Sequence, residues 1–137
     1  MNTASLILLV SRVFFRSRVP FFAIVVNVLT SYLISLWSKH LLITYLLILL
    51  TVITSISLIY AEKTSLTSVF TGLRICGAKV NVIRGFILIY AVLLTLFLTI
   101  IQLVLLKGLL ALIEFVGVFT ASLTSLILVK VRFIERV

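Results

Sequence analysis

Among the few side chains in this sequence that carry chemistry, Glu114 comes first. It is the one ionisable residue well inside a long apolar run, where a carboxylate costs several kcal/mol unless paired or protonated. Gln102 and Lys107 stand on the other side of a tight turn. Gln102 reaches it at similar depth by a hydrogen bond, and Lys107 reaches it from the rim. So held, Glu114 is a packing residue; unheld, it is a proton or ion site, though no second acid lies in any apolar run to form a relay. Cys76 falls on an apolar stripe and reads as a packed, inert thiol, and His40 reads as a solvated turn residue. One cysteine and one histidine exclude an intrachain disulfide and leave no ligand set for a dedicated zinc site. The sequence has no Ser–His–acid set, no paired carboxylates and no phosphate-cradling glycine loop. The expectation is a protein that is not itself an enzyme, with no cofactor and no metal.

The elements that position these residues follow from composition. Of 137 residues 64% are hydrophobic and only three are acidic, too much apolar surface for a soluble domain of this size to hide. The reading is an all-α integral membrane protein forming one membrane domain over 1–137. The net charge of +9 resides at the ends of apolar runs, as membrane topology requires, so nucleic acid is not an expected partner.

Residues 1–19 predict an interfacial helix. The positive charges follow the first apolar run, whereas a signal peptide would carry them before it. Thr3 or Ser5 can cap this helix, Arg12 and Arg16 share a face, and Phe14 and Phe15 anchor it among headgroups. Pro20 opens a first transmembrane helix over 20–37, where its missing N–H costs nothing. Asn27, Ser31 and Ser35 recur every four residues along it, a polar stripe suited to interhelical hydrogen bonds. Ser38-Lys39-His40 is a tight turn, and 41–60 is the second span. Its hydroxyls can return hydrogen bonds to their own backbone. From Phe86 to Val129 a single helix would reach about 65 Å, roughly twice the hydrocarbon core. The chain must fold back at Lys107-Gly108, giving spans over 86–106 and 109–129 and a basic tail over 130–137. In the last span Gly117, Ala121 and Ser125 share a face with Glu114, a small-residue stripe that permits close helix packing.

Residues 62–85, between the two span pairs, read as the stretch around which the chain is organised. Leu66, Val69, Leu73, Cys76, Val80 and Ile83 form one apolar stripe, with Lys63, Thr67, Arg74, Lys79 and Asn81 opposite. That pattern predicts an amphipathic, basic helix on a membrane surface or against a partner.

Within it, Leu73-Arg74-Ile75-Cys76-Gly77-Ala78, followed by Ile83 and a long apolar helix, resembles the "LRxxGA" segment of FtsX/MacB-type ABC transporter permeases. LVSRVFFRSR before the first span is similar to that family's amphipathic opening helix, so the resemblance covers nearly the whole chain in order. It implies a four-span permease subunit whose cytoplasmic element between spans two and three contacts a separate ABC ATPase. It also implies pairing with a second copy or a related permease subunit. Leu73, Arg74, Gly77 and Ala78 become the coupling residues, with a helix break at Gly77-Ala78. The chain departs from the family at Val69 and near Tyr90, where a Glu is common. Ser38-Lys39-His40 stands where the family carries a large extracytoplasmic domain. A different class of function stays open beside this one: a non-transporting scaffold whose stripes and basic face hold other membrane proteins or anionic lipid.

Ten of the twelve Lys and Arg lie in the N-terminal, central and C-terminal segments, and two, Lys39 and Lys107, in the tight turns. The positive-inside rule then places both termini and residues 62–85 in the cytoplasm of a plasma-membrane protein. Single cysteines near Lys63 should react with an impermeant maleimide only from the cytoplasmic side, and cysteines at Ser38 or Lys107 only from outside. Labelling of the central stretch from outside would reverse the scheme.

Overall fold

In lipid a backbone satisfies its polar groups within one segment only as a helix, so runs of this hydropathy fold as helices. The computed structural model describes the backbone of residues 2–135 and the side chains of residues 2–132, with six helices and no strand among them. Arg136 and Val137, at the end of the predicted basic tail, lie outside the described residues. Four helices are long and apolar enough to cross a membrane: α2 (Val19–Trp37), α3 (Leu41–Ala61), α5 (Val80–Leu105) and α6 (Leu109–Glu135). Two shorter ones, α1 (Thr3–Arg16) and α4 (Lys63–Ile75), accompany them. The protein is an all-α, multi-pass membrane protein built on a four-helix bundle.

The spans form a ring in which α2 packs on α3, α3 on α6, α6 on α5 and α5 on α2. Both tight turns, at 38–40 and 106–108, therefore lie at one end. Gly108 takes the left-handed conformation there, at φ +64, which a residue with a Cβ adopts only under strain. The basic helix ends gather at the other end, called the basic end below.

The organising element is α5, not residues 62–85. Phe86 and Ile87, Tyr90 and Ala91, Leu94 and Thr95, Leu98 and Thr99, and then Gln102 are all buried. Pairs recurring every four residues make an unusually wide inward face, and α5 uses it to meet α1, α2, α3 and α6.

α1 is docked rather than simply laid on a lipid surface. Val10 and Phe14 are fully buried, so Phe14 is no headgroup anchor, while Phe15, Arg12 and Arg16 are exposed. Neither Thr3 nor Ser5 caps the helix: Asn2 holds the N-cap position and Ser5 Oγ donates to its carbonyl at 2.7 Å. Edge-to-face contacts run from Phe14 to Tyr90 and to Phe97, each at 5.3 Å between centroids. Tyr90 stacks on Phe86 at 6.0 Å, and Phe86 meets Phe70 of α4 edge-on at 5.6 Å. An aromatic chain thus links α4, α5 and α1.

The central stretch is two helices' worth of chain, not one stripe. α4 stops at Ile75, and α5 begins at Val80, so residues 80–85 belong to the third spanning helix. Leu66 and Phe70 are buried and Val69 and Leu73 pack against the core. Cys76 and Val80 are exposed, contrary to the predicted stripe. The reason is the break at Gly77, which ends the helical phase on which that stripe depended.

Gly85 leaves room for Leu6 of α1 to lie against α5: a Cβ there would stand 2.7 Å from Leu6 Cδ2. Alanine is tolerated because a leucine tip can swing aside. Gly85→Leu should lower the thermal midpoint in detergent and expose α1 to protease, and Leu6→Ala should restore much of the loss. Failure of that rescue would mean the contact does not hold α1.

Candidate functional site

Two places bring the candidate residues together: a polar layer inside the bundle and the turn that ends α4.

Each span contributes to the buried polar set: Asn27, Thr30 and Ser31 from α2, Thr44, Thr51 and Ser55 from α3, Thr95, Thr99 and Gln102 from α5, and Glu114, Ser122 and Ser125 from α6. Most hydroxyls donate to their own helix, as when Thr95 Oγ1 bonds the Ala91 carbonyl and Thr99 Oγ1 the Thr95 carbonyl, each at 2.7 Å. Such groups are satisfied locally and form no path. Two side chains cross between helices instead. Asn27 Nδ2 donates to the Phe97 carbonyl at 3.1 Å, tying α2 to α5. Gln102 Nε2 donates to Thr30 Oγ1 and to the Leu98 carbonyl, and Gln102 Oε1 accepts from Thr51 Oγ1 at 3.4 Å. One amide therefore joins α2, α3 and α5.

This arrangement corrects the expected pairing of Gln102 with Glu114. Gln102 spends its amide on Thr30 and Thr51, and Lys107 is exposed at the turn. Glu114 is 0% exposed and neither carboxylate oxygen has a hydrogen-bond partner; Ser122 Oγ is likewise unpartnered. The polar stripe of α2 is also shorter than its spacing suggests. Asn27 and Ser31 are buried but Ser35 is exposed, and the stripe's third buried member is Thr30. Spacing does not distinguish Thr30 and Thr51 from the other hydroxyls in these spans, because which hydroxyl faces an amide depends on helix rotation.

The small-residue stripe faces α3. A Cβ on Gly117 would meet Val52 at 3.6 Å, an ordinary contact, so the site accepts alanine but not bulk. Ala121 is half-buried and Ser125 is buried, its hydroxyl donating to the Ala121 carbonyl at 2.8 Å.

At the end of α4 the backbone closes a Schellman motif. Ala78 N–H donates to the Leu73 carbonyl at 2.9 Å and Gly77 N–H to the Arg74 carbonyl at 3.0 Å, with Gly77 at φ +73. Leu73, half-buried, packs against the core beneath it. Three of the four coupling candidates, Leu73, Gly77 and Ala78, thus have a structural task. The Arg74 side chain does not share it and is exposed, as is Ile75 beside it at 81%.

Comparison with known protein families, with curated proteins and with solved structures finds no match.

The polar layer predicts opposite responses at its two central residues. Gln102→Leu removes interhelical hydrogen bonds and should destabilise the bundle by about 1 kcal/mol. Glu114→Leu removes a buried group that nothing compensates and should be neutral or stabilising, whereas Glu114→Gln keeps shape and should leave assembly intact. Unfolding in mixed micelles distinguishes the two. Destabilisation by Glu114→Leu would mean that an ion or another subunit holds the carboxyl.

Proposed function

We propose that the protein is a permease-type membrane subunit of an ABC assembly, in which a separate ATPase acts on the end of α4 and rearranges the bundle. In this reading the basic end, with both termini and α4, faces the cytoplasm of a plasma membrane, as the ten-to-two distribution of Lys and Arg favours. The ATPase binds there, and a second copy or a related permease subunit completes the membrane part.

The observation that carries the proposal is the division of α4 into a docked half and a presented end. Leu66 and Phe70 are buried, and α4 packs on α6 and α3 while Phe70 reaches α5. The last turn then offers Arg74, Ile75, Cys76 and Gly77 to solvent. A push on that turn is transmitted because the other half is wedged among three spans. Arg74 supplies charge-assisted hydrogen bonds to an acidic acceptor, and Ile75 an apolar contact beside it. The unpaired Glu114 makes the present packing easier to leave than one in which every buried polar group is satisfied.

A non-transporting scaffold is the second reading. The observation in its favour is that most interior hydroxyls are spent on their own backbone, leaving no polar path across the bundle among the described residues.

Arg74→Ala should abolish copurification or stimulation of the ATPase while the subunit still inserts, because no span is altered. Gly77→Val forces a β-branched side chain into the left-handed region and should do the same by disordering the turn. Lys63→Ala, at the half-buried start of α4, should retain the ATPase. Equal behaviour of Arg74→Ala and Lys63→Ala would remove the support for a coupling turn and leave the scaffold.

A further inference from the structure

We infer that the groove between α5 and α6 at the basic end is a binding site for an anionic phospholipid. The groove encloses about 420 Å³ and is lined by Arg84, Ile87 and Leu88 of α5 with Leu123, Ile127, Lys130 and Val131 of α6. Among the described residues no acidic side chain lines it.

The order of these residues makes the groove amphipathic. α5 leaves the basic end and α6 returns to it, so Arg84 and Lys130 stand together at the mouth. Ile87 and Leu88 follow Arg84 by about one turn, and Ile127 and Leu123 precede Lys130 by about one and two turns. The cations thus meet the headgroup level while the apolar floor runs roughly 10 Å into the hydrocarbon. Leu88, Ile127 and Val131 are 53%, 44% and 42% exposed, on the outer surface of the bundle that lipid covers.

An occupant must therefore be apolar along its length and negative at one end. A soluble anion leaves the floor uncovered, and a zwitterionic lipid leaves the two cations poorly matched. A phospholipid with net negative charge satisfies both requirements, its phosphate between Arg84 and Lys130 and an acyl chain along Ile87, Leu88, Leu123 and Ile127. Basic pockets between spans recognise such headgroups by the same combination. The groove on the other side of α6 supplies a control. Lys63 and Arg132 carry the same charge there, but Thr64, Thr67, Ser68 and Thr71 replace the apolar floor, and among the described residues Val129 is the one apolar side chain lining it. The inference does not depend on an ATPase partner.

The test is competition on the full chain in detergent, with equimolar phosphatidylglycerol and phosphatidylcholine, reading retained lipid by native mass spectrometry. The unmodified chain should retain phosphatidylglycerol at least tenfold over phosphatidylcholine. Arg84→Gln with Lys130→Gln should lose that lipid by roughly thirtyfold, while Lys63→Gln with Arg132→Gln should stay within about threefold of the unmodified chain. Ile127→Trp fills the floor and leaves every charge in place; it should also lose phosphatidylglycerol, so the test survives a charge variant that does not fold. Equal losses in the two charge pairs, equal retention of the two lipids, or displacement by glycerol phosphate without acyl chains would each overturn the site.

Discussion

The amide of Gln102 fixes the relation of three spans to one another. In lipid the apolar surfaces of helices have little preference among rotations, because acyl chains pack against them nearly as well as other side chains do. A buried amide does discriminate, since an unmet donor or acceptor is expensive in a dry interior. Gln102 meets Thr30 and Thr51 only when α2 and α3 present those hydroxyls at the same level of α5. Asn27 repeats the constraint with the Phe97 carbonyl. Together they set register where hydropathy is indifferent, and the small residues of α6 then let α3 close the ring.

α5 also connects the membrane bundle with the two short helices. Its aromatic face carries Phe86 and Tyr90, against which Phe70 of α4 and Phe14 of α1 pack. Aromatic contacts of this kind add to area burial and restrict relative orientation. A displacement of α4 would reach α1 and the start of α2 through rigid rings rather than through a flexible linker.

Leu73–Ala78 has a structural task of its own in the Schellman motif, independent of any family. Leu73, Gly77 and Ala78 are the residues such a cap needs: an apolar C3 position, a glycine at C′ and a backbone donor at C″. Any protein that ends a docked helix sharply could carry the same three. What the cap leaves over is Arg74, whose side chain is exposed and has no structural use in the motif.

The sequence by itself determined the membrane class, the number of spans, both tight turns and the gathering of basic residues at one end. These depend on segment length, hydropathy and local backbone chemistry, which are properties of contiguous residues. It left open, or misjudged, whatever depends on helix rotation. Phe14 turns into the bundle, Cys76 turns out to solvent, and Ser35 leaves the polar stripe that Thr30 joins. Glu114 stands buried without the partner that spacing offered it. A side chain's partner across a helix pair is set by the rotation and register of both helices, and those are settled jointly by every contact along the interface. Only the assembled bundle decides them.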